Sequence, residues 1–220
     1  MVESLLIAVD AAPFADRVGG WLPDLLRAGV RRVTLFHAIE TVGPDVAAEL
    51  DDLRPRLDRL AVQLSAESVE VELAFKRGDR FRWLVSLVAL RGCQLVVLGP
   101  HCSLSGKARS VGSLLRRLLG ESPAPLLVLP RPRTESDPGL FDRPILVEGR
   151  AQEPWLDSQA RTLVPTALEA GSLKPGGGSP PGASLLVTGR SPAGGRLEEL
   201  LFDAPCPVLV IPAHADAIHA

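Results

Sequence analysis

The sequence predicts an α/β fold built on a doubly wound, open parallel sheet. Three observations carry this prediction. Short apolar runs alternate with longer segments of helical periodicity through the first 130 residues. Runs such as LVVLG at 95–99 are apolar at nearly every position, as strands covered on both faces are. Parts of the first 130 residues also recur, in the same order, in the last third of the chain.

The elements follow in sequence. SLLIAV (4–9) is the first strand, and Phe14, Val18, Trp21, Leu22, Leu25 and Leu26 give the first helical face. RVTLFHA (32–38) is the second strand, followed by Leu50, Leu53, Leu57, Leu60 and Leu64 at helical spacing on a polar background. VEVELAF (69–75) is the third, with Leu84, Leu87 and Val88 on the next helix. CQLVVLG (93–99), the face Leu114, Leu115, Leu118, Leu119, and PLLVLP (125–130) complete a first domain at 1–130. RPRTESDPGLFDRP, residues 131–144, reads as a linker. In 145–220 a strand at 145–147 precedes a partly helical stretch (155–170), interrupted by Pro165. A Pro/Gly-rich loop (174–184), a strand (185–188), a short helix (195–203) and a last strand (208–212) follow.

Residues 118–130 lie over 200–212 at a constant offset of 82, and LVVLG (95–99) matches LLVTG (185–189). The second segment therefore reads as a shortened copy of the first, the loop at 174–184 standing where two strands and two helices would be.

Composition narrows the function classes. The 220 residues suffice for one large or two small domains, and 46% are hydrophobic, which excludes whole-chain disorder. A net charge of −2 argues against a nucleic-acid partner. Cys93, Cys102 and Cys206 form no CxxC or metal-type spacing, as expected in a reducing compartment. The N-terminus lacks a basic region before its apolar run, and no apolar stretch approaches the ~20 residues that span a bilayer. The expectation is a cytoplasmic protein without membrane insertion.

Charge is unevenly placed. From Arg80 to Gly120 there are seven basic residues and no acid, whereas 40–79 carries ten acids against five bases. This positive stretch surrounds a strand–loop–helix turn running from Gly99 to a helix near Gly112-Ser113. Open parallel sheets bind ligands at such turns, where helix N-termini present free N–H groups.

VD at 9–10, LFHAIE at 35–40 and LGPHCSLSGKARSVGSLLRRLLGESPAPLLVLP (98–130) resemble the universal stress protein family. Its nucleotide motif is glycine, two residues, glycine, nine residues, then Gly-Ser or Gly-Thr. Here the register is Gly99-Pro100-His101-Cys102, nine residues, then Gly112-Ser113. The resemblance implies a Rossmann-like fold in tandem form, and an ATP or ADP site, with or without Mg²⁺, in the first domain. Gly99, Gly112 and Ser113 would hold phosphates and ribose; Ala8, Val9, Asp10 and Ala38 would line the adenine and ribose end. Leu98, His101 and Leu114 match further nucleotide-contacting positions. Cys102 replaces the motif's second glycine, and Pro100 removes a backbone donor. In the second segment Gly194-Gly195 fall over Gly112-Ser113, eight loop residues are missing and Glu148 stands near the place of Asp10, so no nucleotide is expected there.

The resemblance also implies that the last strands, 126–130 and 208–212, pair antiparallel in an intramolecular pseudo-dimer, with a homodimer as the intermolecular counterpart. No enzyme motif is present: GxSxG, HExxH and GxxxxGK[ST] are all absent. His214 and His219 are spaced unlike metal ligands, with Asp216 between them, and His37 reads as a structural histidine. The expected function is regulatory, of the stress-response type, with weak ATP hydrolysis as an open side activity. A scaffold that has lost its ligand site is the alternative.

Overall fold

A computed structural model of the chain describes residues 2–39, 45–100, 113–147, 154–164, 166, 168–171, 182–189, 197, 200–201 and 204–212. The first part contains β1 (Ser4–Ala8), α1 (Ala12–Arg27), β2 (Arg32–Ile39), α2 (Asp45–Ala66), β3 (Glu70–Arg77), α3 (Arg80–Arg91), β4 (Leu95–Leu98), α4 (Ser113–Glu121) and β5 (Leu126–Val128). The second contains β6 (Pro144–Val147), α5 (Pro154–Leu163), β7 (Glu169–Gly171), β8 (Leu185–Gly189) and β9 (Val208–Ile211). Residues 197, 200 and 201 of the expected helix at 195–203 are helical.

The strands form one sheet in the order β3-β2-β1-β4-β5-β9-β8-β6-β7. Among the described residues every pairing is parallel except β5 with β9, where Leu126, Leu127 and Val128 face Val210, Leu209 and Val208 in antiparallel register. The expected pairing of these two strands is therefore present. It removes two apolar strand edges that would otherwise be open to aggregation. Outward from this seam, β9-β8-β6-β7 repeats the order β5-β4-β1-β2.

Alternation along each strand divides the core into two layers. Leu5, Ile7, Val9, Val33, Leu35 and Val97 pack against Phe14, Val18 and Trp21 of α1 and Leu53, Leu57, Leu60 and Leu64 of α2. Leu6, Ala8, Phe36, Ala38, Val96 and Leu98 face Leu84, Leu87 and Val88 of α3 and Leu114, Leu115 and Leu118 of α4. Both layers continue through the seam, Leu127 and Leu209 in the first and Val128 and Val208 in the second.

One feature differs from the sequence expectation and another adds to it. The loop at 174–184 does not replace two strands, because β7 is present and pairs parallel with β6. Its sequence, Glu-Ala-Gly, has no β-branched or aromatic residue to announce a strand, and partnership with β6 forms it nonetheless. The segment 131–144 is tightly held. Arg131 forms a bidentate pair with Asp137 at 2.7 and 2.6 Å and donates to the Pro205 carbonyl at 2.7 Å. Arg133 pairs with buried Asp24 of α1 at 2.8 Å, and Leu140 is fully buried.

Candidate functional site

The helices α1, α3 and α4 all begin at the carboxyl edge of the sheet. The helix after β1 leads to β2, whereas the one after β3 leads back across to β4, so connections diverge on either side of the β1–β4 pair. In an open α/β sheet that divergence leaves a crevice beyond the strand ends.

Asp10 follows β1 and stands at this crevice, half-buried. Burial pushes its carboxyl above the usual carboxylate range, opposed by the charge of Arg80, by its own and Ala11's backbone N–H groups, and by the charge of Arg17. Val9 is fixed from two sides: its N–H donates to the Phe36 carbonyl at 2.8 Å, and its carbonyl lies 2.8 Å from His37 Nδ1. A carbonyl can only accept, so Nδ1 carries the hydrogen. The buried His37 ring also meets Phe75 edge-on, which makes it structural, as expected.

Gly99 leaves β4 on the other side of the crevice. A Cβ placed there would lie 3.1 and 3.3 Å from the Phe14 ring and 3.8 Å from Arg17 Nη1. The glycine thus lets α1 close over the end of β4. Arg17 Nη1 donates to the carbonyls of Leu129 and Pro130 at 3.1 and 3.2 Å, so α1 also grips the exit of β5. Burial lowers the pKa of Arg17, and the charge of Asp10 partly restores it.

At the start of α3 the Asp79 side chain caps the helix, accepting from the Arg82 N–H at 2.9 Å. Arg117 of α4 stacks 3.8 Å from the centroid of Phe81 and reaches Asp79 at 3.5 Å, which ties the first turn of α3 to the middle of α4. Asp79 accordingly titrates below its ordinary value, chiefly through the Arg82 N–H.

Of the residues expected at a nucleotide, Ala8, Ala38, Leu98 and Leu114 are buried in the layer under α3 and α4, and Val9 is buried in the layer under α1. Asp10 and Gly99 flank the crevice, and Ser113 opens α4, exposed. His101, Cys102 and Gly112 lie outside the described residues, as do Glu148, Gly194, Gly195, His214, Asp216 and His219. Among the described residues no three metal-ligating side chains come together, and no helix is long and apolar enough to cross a membrane.

Two charged residues of this edge were not legible as site residues. Arg17 occupies the i+3 position from Phe14 on the core-facing stripe, so an arginine amid Phe14, Val18 and Trp21 was its signal. Arg80 was one of seven basic residues, and nothing in the sequence set it apart as buried. At the opposite edge a cleft of about 210 Å³ lies between Ser4, Arg32, Glu70 and Arg91, spanned by an Arg91–Glu72 ion pair of 2.5 Å. In doubly wound sheets the general place for a ligand is the other edge, beyond the carboxyl ends of the strands.

The fold and this edge define a doubly wound α/β protein with a crevice at the switch point of its sheet. The family model of the universal stress proteins matches residues 1–130. The chain belongs to the universal stress protein family. Its fold is similar to that of a universal stress protein from Archaeoglobus fulgidus, at 15% identity and a TM-score of 0.62, over 95% of this chain and 96% of that one. A functionally unknown protein from Pseudomonas aeruginosa is similar at 15% identity and a TM-score of 0.62, over 99% and 94%. The cytoplasmic domain of a prokaryotic cation chloride cotransporter shares the fold at 12% identity and a TM-score of 0.56, over 99% and 100%. No curated protein matches the chain.

Proposed function

We propose that this chain binds an adenine nucleotide, ATP or ADP, with or without Mg²⁺, in the crevice between β1 and β4. It acts there as a cytoplasmic regulatory protein of the stress response and not as an enzyme. One observation supports the reading: Asp10, Gly99 and Ser113, expected at the nucleotide from the family resemblance, stand at one edge of the sheet around its switch point. The N-terminus of α4 supplies oriented N–H groups for phosphate there. We further take residues 145–220 to be a shortened second copy without a nucleotide site, joined to the first as an intramolecular pseudo-dimer. The repeated strand order on either side of the antiparallel seam supports this.

A scaffold without a nucleotide is favoured by a different observation. The packing of Phe14 against Gly99 accounts for the glycine without any ligand. Mass analysis of small molecules released on denaturing the purified chain separates the two. ATP or ADP at a stoichiometric fraction supports the first reading. A chain that releases no nucleotide, and takes none up at millimolar concentration, leaves the scaffold.

A further inference from the structure

The nucleotide motif contains no arginine of α1, yet Arg17 reaches the edge where that motif lies. Its Nη1 is clamped on the carbonyls of Leu129 and Pro130 and lies 3.8 Å from where a Gly99 Cβ would be. The guanidinium is therefore held next to Gly99, from which the sequence runs on to Gly112 with Lys107 and Arg109 and no acid. Its Nε is buried and makes no hydrogen bond among the described residues. Asp10, the acid that feels its charge, interacts with it through space without a hydrogen bond between the side chains. Arg17 thus places a positive charge beside Gly99, oriented by backbone carbonyls, and no carboxylate among the described residues forms an ion pair with it. A half-buried charge of this kind is screened by salt much less than one on an open surface.

We propose that Arg17 is a specificity-determining residue of the crevice, whose charge makes it prefer nucleotides bearing a polyphosphate over the bare nucleoside. This rests on the nucleotide reading above and adds a residue outside the family motif. Because the guanidinium acts on phosphate charge, its removal should weaken ATP and ADP and spare adenosine. A role confined to holding β5 in place would weaken all three together.

The test is calorimetric titration of the full chain with ATP, ADP and adenosine at two salt concentrations, for wild type, Arg17→Met and Arg17→Lys. Arg17→Met is expected to lose about tenfold in ATP affinity, equivalent to about 1.4 kcal/mol. Adenosine should change little and the salt dependence of ATP binding should flatten. Arg17→Lys should keep most of the preference. Should Arg17→Met not fold, Arg17→Gln retains donors for the two carbonyls and gives the same comparison. Equal losses for ATP and adenosine, or an unchanged ratio in a wild type that binds ATP, overturn the role of Arg17 alone. A wild type that binds none of the three overturns the nucleotide reading and this inference with it.

Discussion

Two residues of the crevice carry opposite consequences for stability. Gly99 has room for a hydrogen and little more, since a methyl would press on the Phe14 ring at 3.1 Å. Gly99→Ala should therefore cost about 1–3 kcal/mol, the usual range for overpacking a filled site. Denaturant unfolding of Gly99→Ala, Phe14→Leu and the double variant checks the cause: the combined loss should be smaller than the sum, because the smaller side chain makes room for the methyl. Asp10 works the other way. Its folded pKa is raised, so the folded state holds the proton to higher pH than the unfolded chain does. Its contribution to stability is thus favourable at low pH and declines as pH rises through the window above the ordinary carboxylate value. Asp10→Asn removes the buried charge, and thermal scans should show a higher Tm than wild type at pH 7. The gap should close as pH falls toward 4.

Among the elements, β5 and β9 bear the seam. The Leu129 N–H donates to the Leu98 carbonyl of β4 at 2.9 Å, so by alternation the Val128 N–H points to the other side, toward Val208. Val128→Pro removes that donor from the central antiparallel pair and should cost at least about 2 kcal/mol, read as a lowered denaturant midpoint. The five strands and four helices of the first part were legible because their apolar residues keep a clean period and lie between turn residues. The pairing of the last strands was legible only through the family resemblance. β7 was not legible, because Glu169, Ala170 and Gly171 carry no strand signal and the element exists by pairing with β6. The contacts of the segment 131–144 were not legible for a related reason. Its Pro, Gly and charged residues are those of a connector, but Arg131, Arg133 and Asp137 find partners distant in sequence or across a turn. At the site the family resemblance named Asp10 and Gly99, which the fold brings to the ends of the neighbouring strands β1 and β4. The grip of Arg17 on β5 depends on tertiary contacts that no local pattern records.

For the whole molecule, one sheet with two continuous apolar layers joins both parts of the chain, so a ligand held at its carboxyl edge stabilises the entire cooperative unit. The central claim is that this edge takes an adenine nucleotide. The most direct measurement is a thermal scan of the full chain against increasing ATP with Mg²⁺. A ligand at 100 times its Kd adds about 2.7 kcal/mol. For a chain of this size each kcal/mol moves Tm by roughly 2–4 °C, so a saturating rise of about 5–10 °C is the predicted result. Cys102→Gly, which restores the glycine of the motif, should shift the rise to lower ATP concentration. A Tm that stays constant up to millimolar ATP, in wild type and in Cys102→Gly alike, would contradict the account.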